Sequence, residues 1–287
     1  MSHISIFIEL TRLKKPIGYM LLFWPCAWGL TIAYDFKNGF EFYIIYLLLF
    51  FFGSILMRSA GCIVNDIADK DFDKNVERTK NRPLASNKIS VKLATIYSAI
   101  LCVFAFFILI NFNLFTILLA LASMPLAFTY PLMKRFTYWP QLFLGITFNY
   151  GLLLGWTSIN EDLNISPILF YFGAIFWTLG YDTIYGFQDI EDDEIIGVKS
   201  TSIKFKNNPK LLLTVCYIMY IICFLFLGVL LDYNYLFYFF STIIIFHLFY
   251  LQIYKFNPKN KNQCLKIFKS NNMFGLLILI NIFLGKI

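Results

Sequence analysis

Histidine is almost missing from this chain. His3 and His247 are the only two in 287 residues. They are far apart, so neither a histidine-based metal site nor a histidine dyad is credible. Cysteine offers no framework either. Cys26, Cys62, Cys102, Cys216, Cys223 and Cys264 form no CxxC pair, and most lie inside apolar runs. They read as small core residues, with no disulfide or zinc framework. Charge is scarce at 14%, against roughly a quarter in a soluble domain. Residues Ser2 to Lys15 lack a basic segment followed by a short apolar core and a small-residue cleavage site, so no signal peptide is expected. What the chain has instead is apolar length, with 59% of its residues hydrophobic. It reads as a single polytopic membrane domain over residues 1–287.

Segments of about 20 apolar residues can cross a bilayer as helices. Nine are expected: 16–35, 42–64, 91–111, 113–131, 139–158, 166–186, 211–231, 234–255 and 270–286. Tight turns at Asn111 to Asn113 and Asp232 to Asn234 join two of the pairs. Alternate connections then fall at 1–15, 65–90, 132–138, 187–210 and 255–269, and these carry 20 of the 24 Lys and Arg. The opposite side carries only Lys37 and Lys286. Basic connections face the cytoplasm, so the N-terminus is expected there and the C-terminus outside. The same asymmetry accounts for the net charge of +7 without a nucleic-acid partner. A bacterial cytoplasmic (inner) membrane is the expected location.

Two short windows hold most of the acid. Asp66, Asp69, Asp71, Asp73 and Glu77 form one; Asp189, Glu191, Asp192, Asp193 and Glu194 form the other. Together they are ten of the 17 Asp and Glu residues. Each follows an even-numbered span and leads into basic residues, so both fall on the basic side. An unpaired buried charge is costly, and a divalent cation resolves it. Magnesium suits carboxylates, water and phosphates. Asn65, Asp69 and Asp73 stand at i, i+4 and i+8. A four-residue step on a helix rotates by about 40°, which puts the three on one face. Asp189 and Asp193 repeat the spacing. Asp182 precedes Asp189 by seven and shares its face if the helix continues through Gly186. Arg82, Lys134 and Lys199 are placed to neutralise a diphosphate.

Arg58 lies inside a span, seven positions before Asn65. Such a residue either snorkels to the interface or meets an anion in a cavity, for example a substrate carboxylate. Arg12, Lys14 and Lys15 precede Pro16 and read equally as interface anchors or ligand contacts. Aromatics are abundant, with 34 Phe, 18 Tyr and 5 Trp. Most are packing, lipid-facing or interfacial-belt residues; Tyr130, Tyr150, Tyr181 and Tyr185 are the candidates to face a cavity by their proximity to the acids, and each reads first as a packing residue.

Read together, these motifs carry a resemblance. Arg58-Ser59-Ala60-Gly61-Cys62 leads into Asn65-Asp66-x-x-Asp69-x-x-x-Asp73 and Arg78-Thr79-Lys80-Asn81-Arg82-Pro83-Leu84. Later come Tyr130-Pro131-Leu132-Met133-Lys134-Arg135 and the run from Tyr181 to Asp193, closing with Gly197-Val198-Lys199-Ser200-Thr201. Over about residues 12 to 205 the chain resembles the UbiA family of intramembrane aromatic prenyltransferases. Gly186-Phe187 and Ser86-Asn87 depart mildly from the family pattern, away from the proposed ligands. The resemblance implies an all-α fold of nine transmembrane helices around a central cavity capped by cytoplasmic loops. It implies that Asn65, Asp69, Asp73, Asp189 and Asp193 bind Mg²⁺, with the four aspartates at the catalytic centre. Arg82, Tyr130 and Lys134 would contact the diphosphate and Arg58 the aromatic acceptor, with Arg12, Lys199 and Asp182 completing the substrate-binding set. The implied substrates are a polyprenyl diphosphate and 4-hydroxybenzoate, joined ortho to the hydroxyl in ubiquinone biosynthesis. The polyprenyl tail would enter from the lipid bilayer. No protein partner is indicated.

Two other readings compete. One is the same fold with another acceptor: homogentisate, a naphthoate, haem or chlorophyllide. The other is a divalent-cation transporter. That reading explains the acids poorly, because they cluster at one membrane face and leave the midplane apolar.

Overall fold

The computed structural model describes residues 3–287, and every regular element among them is helical. Each of the nine expected segments coincides with a helix. In chain order the helices are α1 (His3–Thr11), α2 (Ile17–Ala33), α3 (Glu41–Ala68), α4 (Lys70–Asp73), α5 (Val91–Leu109), α6 (Leu114–Thr129) and α7 (Met133–Phe136). There follow α8 (Pro140–Asn160), α9 (Ile165–Gly186), α10 (Ile190–Ile196), α11 (Thr201–Lys204), α12 (Pro209–Leu230), α13 (Tyr235–Phe246) and α14 (Lys261–Lys286). A π-helical stretch, His247–Tyr254, continues α13.

Among the described residues, length and apolarity alone single out seven helices able to cross a membrane. Of the other two expected spans, α2 has 17 residues, just short of that length, and α9 is interrupted by polar residues near its end. The apolar surface agrees with a lipid environment. Phe52, Phe104 and Phe107, on α3 and α5, are all more than half exposed, an arrangement that water would not support over so wide a face.

Helix α2 sits at the centre of the bundle, its residues 26–32 buried almost without break. It lies against α8 so closely that a Cβ on Gly29 would stand 2.0 Å from the Leu152 carbonyl oxygen. One on Gly155 would stand 2.2 Å from the Cys26 carbonyl oxygen. Small residues permit this backbone approach, which supplies dispersion energy where lipid removes the hydrophobic drive between helices. The second half is tied by a buried polar chain. Tyr217 donates to Gln252 at 2.6 Å, Gln252 to Asn271 at 2.8 Å, and the Trp177 indole to the same Asn271 oxygen at 2.8 Å. At the opposite end from the acids, the Lys286 ammonium donates to the carbonyls of Thr31, Ile32 and Tyr34 at 2.9, 2.7 and 2.6 Å. This occupies carbonyls at the end of α2 that have no intrahelical partner.

The structure departs from expectation in three places. The connection 1–15 contains α1, whose Ile6 and Leu10 are buried against α3 and α5. The last helix starts at Lys261, nine residues earlier than its apolar run, because Asn260 caps it by accepting from the Gln263 backbone N–H at 3.0 Å. Helix α9 stops at Gly186, so Asp182 and Asp189 do not share one continuous helix.

Candidate active site

The first acid window straddles the end of α3. The helical hydrogen-bond ladder runs on through it: the Asp69 N–H donates to the Asn65 carbonyl at 2.9 Å, and the Asp73 N–H to the Asp69 carbonyl at 2.8 Å. This preserves the predicted shared face, and the Asn65 amide donates to Asp69 Oδ2 at 3.0 Å. Arg135 donates to the Ala68 carbonyl at 2.5 Å, a basic cap on the C-terminus of α3. That contact brings its neighbour Lys134 to Asp69, Nζ to Oδ2, at 2.7 Å. Asp69 is buried, and its Oδ1 has no hydrogen-bond partner. Burial raises the Asp69 carboxyl above its ordinary range, and Lys134 only partly offsets this.

Beyond α4 the chain turns back through 74–90, fastened by buried Pro83, Leu84 and Ala85. This places Arg82 over the acids. Its Nη1 donates to Asp73 Oδ2 at 2.8 Å and to Asp66 Oδ1 at 3.1 Å. Arg12, the first residue past α1, also binds Asp66 Oδ1. Arg12 adopts a left-handed backbone, φ +55°, a conformation that usually ends a helix on glycine. Burial works against the Arg12 charge, but Asp66, joined by Cys62, Tyr185 and Tyr130, outweighs it, so the guanidinium is held above its ordinary range.

The second window begins where α9 ends. Asp189 stands just ahead of α10, and Gly197 closes that helix at φ +74°. The two windows abut. Arg78, from the turn after α4, grips Asp189 with Nε at 2.8 Å from Oδ1 and Nη2 at 2.5 Å from Oδ2. Its Nη1 donates to the Tyr185 hydroxyl at 3.2 Å. The Glu77 backbone N–H reaches Asp192 at 3.4 Å. Asp193 lies half-buried behind them. Desolvation, reinforced by Asp189, raises its carboxyl to about 6. Among the described residues no three carboxylate, thiol or imidazole groups draw together tightly enough to hold a metal. The carboxylates are turned instead toward Arg12, Arg78, Arg82 and Lys134.

Deeper in the bundle, Arg58 faces inward. Its Nε is buried without a hydrogen-bond partner, and its guanidinium lies 5.3 Å from the centroid of the Phe148 ring. Tyr130 meets the same ring edge-on at 6.4 Å. Asp182 is within electrostatic reach of Arg58. Gly18, near the start of α2, leaves space for the guanidinium: a Cβ there would stand 2.9 Å from Arg58 Nε.

Of the expected residues, Asn65, Asp69, Asp73, Arg82 and Lys134 are engaged in direct contacts at the first window, Asp189 is tied to its edge through Arg78, and Arg58 and Tyr130 lie together at Phe148. Lys199 joins neither group. Its Nζ donates to the Phe136 carbonyl at 3.3 Å and sits over the Tyr138 ring, away from the acids. Its backbone N–H bonds the Lys134 carbonyl at 2.8 Å, so it supports the α7 turn. Sequence reasoning gave no role to Asp66, Arg78 or Phe148. Asp66 was visible beside Asn65, but one helical residue rotates by about 100°, so it leaves the face of Asn65, Asp69 and Asp73 and points at Arg12 and Arg82.

An all-helical apolar bundle, capped at one end by two abutting acid windows and a ring of basic side chains, defines the class: a polytopic membrane protein with one charged site at the end of its helices. The UbiA prenyltransferase family profile matches residues 22–278, and the chain belongs to that family. It is 41% identical over 280 residues to the mitochondrial 4-hydroxybenzoate polyprenyltransferase of Drosophila pseudoobscura pseudoobscura, covering 97% of this chain and 70% of that protein. It is 40% identical over 279 residues to the 4-hydroxybenzoate octaprenyltransferase of Psychromonas ingrahamii, covering 97% and 96%. The solved structure of a UbiA homolog from Archaeoglobus fulgidus bound to GPP and Mg²⁺ matches with a TM-score of 0.74 over 97% of this chain and 98% of that one. At 17% identity that likeness establishes the fold. The protein is a multi-pass membrane prenyltransferase.

Proposed function

We propose that this enzyme transfers a polyprenyl group from polyprenyl diphosphate to the ring carbon ortho to the hydroxyl of 4-hydroxybenzoate, releasing diphosphate, in ubiquinone biosynthesis. The observation that carries the reading is the meeting of the two acid windows at Arg78 and Asp189. A diphosphate with its metal would then lie within reach of both. The relatives' names supply the acceptor.

The residues fit Mg²⁺. Asn65, Asp69, Asp73, Asp189 and Asp193 offer only hard oxygen donors of the kind magnesium takes, and Asp69 Oδ1 is buried with no partner of its own. When bound, the metal neutralises charge on the departing diphosphate. Arg12, Arg82 and Lys134 give the phosphate oxygens charge-assisted hydrogen bonds, and Tyr130 lies at the inner edge of that group. Arg58, with its free Nε over Phe148, holds the acceptor carboxylate deeper in the bundle, and Asp182 lines the same space. As the C–O bond of the donor breaks, its electron pair leaves with the diphosphate and the allylic carbon becomes cationic. The ring carbon attacks that carbon, and its proton is lost to restore aromaticity. The apolar bundle excludes water that would quench the cation. Lys199, turned to the Phe136 carbonyl, has no place in this scheme.

The acid-bearing face lies in the cytoplasm by the charge asymmetry, in the bacterial cytoplasmic membrane. A C-terminal reporter active only outside the cytoplasm tests that orientation. The central test offers radiolabelled polyprenyl diphosphate to isolated membranes with 4-hydroxybenzoate, homogentisate or a naphthoate, with EDTA and with Mg²⁺ restored. Labelled 4-hydroxybenzoate that disappears with EDTA and returns with Mg²⁺ is expected. Product on a different acceptor alone would overturn the substrate assignment.

A further inference from the structure

Asp66 is the most buried carboxylate of the first window, with 2% of its side chain exposed. It lies off the face shared by Asn65, Asp69 and Asp73. One oxygen, Oδ1, takes both the Arg12 guanidinium and the Arg82 Nη1, the latter at 3.1 Å. Arg12 arrives from the N-terminal segment and Arg82 from the loop after α4, so no local backbone relation sets one against the other. Arg12 also holds a left-handed backbone, which costs a non-glycine residue roughly 1 kcal/mol or more. Something must hold it there, and Asp66 is the acid it contacts. Arg82 is held twice, by Asp66 and by Asp73 at 2.8 Å.

We propose that Asp66 is a positioning residue: a buried counter-ion that fixes the two guanidiniums of Arg12 and Arg82 side by side, aimed as one unit at the diphosphate of the donor. It serves no metal. This rests on the reading that the site binds a prenyl diphosphate. It assigns Asp66 a task separate from that of its neighbours Asp69 and Asp73. A buried carboxylate shared by two arginines neutralises part of their mutual repulsion and leaves the remaining N–H donors of both forks free for phosphate oxygens.

The test is Asp66→Asn in the full chain, in membranes and purified in detergent. Outer partners that orient the ligands of a metal change affinity or activity about 10- to 100-fold when removed, and a carboxylate that orients two guanidiniums is expected to act on the same scale. The donor KM should rise by that factor, with the acceptor KM unchanged. The Mg²⁺ concentration for half-maximal rate at saturating donor should stay within twofold of wild type. A second readout needs no turnover: Mg²⁺ with inorganic diphosphate should raise the melting temperature of the wild type and raise that of Asp66→Asn much less. In the Arg12→Ala, Arg82→Ala background the Asp66→Asn change should add nothing to the donor KM, because Asp66 acts through those two residues. A raised Mg²⁺ requirement would make Asp66 a metal ligand and overturn the proposal. So would an unaltered donor KM, or an equal loss in the double-alanine background. Should Asp66→Asn fail to accumulate, Asp66→Glu keeps the charge but displaces the guanidiniums, and the same KM split is required of it. Wild-type protein that shows neither prenyl transfer nor stabilisation by Mg²⁺ and diphosphate would refute the substrate reading itself, a different failure from any of these.

Discussion

A single methyl group at Gly18 tests whether Arg58 is a working part of the site. Gly18 belongs to α2 and Arg58 to α3, and the missing side chain of one is filled by the guanidinium of the other. An alanine Cβ would stand 2.9 Å from Nε, where ordinary contact begins at 3.4 Å. The clash falls on a side chain, so the backbone can stay and the guanidinium must move by about half an ångström. Misplacement by 1 Å can cost about 100-fold in rate or binding. Half that distance predicts about a tenfold loss, or ~1.4 kcal/mol. If Arg58 holds the acceptor carboxylate, Gly18→Ala raises the KM for 4-hydroxybenzoate about tenfold and leaves the donor KM where it was. The assay is steady-state transfer in membranes, varying each substrate at saturating levels of the other. Gly53→Ala is the matched control on α3 itself. Its Cβ would meet only Ile108 Cγ2 at 3.9 Å, so its kinetics should be unchanged and its helix slightly stabilised, by up to ~1 kcal/mol. A Gly18→Ala enzyme with an unaltered acceptor KM, or with the loss confined to the donor, would refute the assignment of Arg58.

Three other expectations follow from the same geometry. Gly155→Leu must drive α2 and α8 apart, since even its Cβ would lie 2.2 Å from a backbone oxygen; a loss of about 3 kcal/mol or more should appear as a marked fall in melting temperature on fluorescence-detected size exclusion, and an unchanged one would contradict the helix packing. A double-mutant cycle of Arg78→Met and Asp189→Asn should yield a coupling of only about 1 kcal/mol in apo-protein stability despite its two-pronged geometry, because the Arg78 side chain is 39% exposed; strict additivity would show that the bridge between the windows does not form. Asp69→Asn should abolish Mg²⁺-dependent transfer while the protein still inserts and elutes as a single species, and full activity would remove Asp69 from the metal set.

The parts of this fold that were legible in the sequence are those set by length and charge. A helix in lipid must be apolar for about 20 residues, so the spans declare themselves, and the basic connections between them separate the two faces. The spacing of Asn65, Asp69 and Asp73 was readable because α3 keeps its hydrogen-bond ladder past its end. Helix α1 and the start of α14 were not readable by the same criterion. They lie at the polar edge, where a helix needs only one apolar stripe and a cap, and Ile6, Leu10 and Asn260 supply these. The turn of Lys199 toward Phe136 was hidden for another reason. A lysine five residues past the second window looks equivalent to Lys134 in one dimension, and only the cap of α3 by Arg135 decides which of them reaches an acid. Gly18 and Gly155 carry no signal of their own, because a glycine is informative only once its neighbour across the helix interface is known.

The charges of this site form two populations, and their difference bears on the order of events. At the membrane edge every strongly engaged acid has a basic partner: Asp66 with Arg12 and Arg82, Asp69 with Lys134, Asp73 with Arg82, Asp189 with Arg78. Partial burial is tolerable there because the charges cancel. A metal–diphosphate complex is also a paired set of charges. It could take the place of the bridges made by Asp69, Asp73 and Asp189, whose carboxylates would hold the metal while basic side chains turn to the phosphates, and the Asp66 pairs would stay in place. Inside the bundle Arg58 has no such partner, only the face of Phe148 and a distant Asp182. A cation over an aromatic face recovers about 0.5–2 kcal/mol, less than a full ion pair in the same surroundings. The acceptor carboxylate would therefore be drawn to the deeper position, where it completes a pair that the protein leaves incomplete. The diphosphate would be drawn to the edge, where it exchanges with pairs already made. On this reading the two substrates are sorted by depth, and the allylic carbon is generated between them.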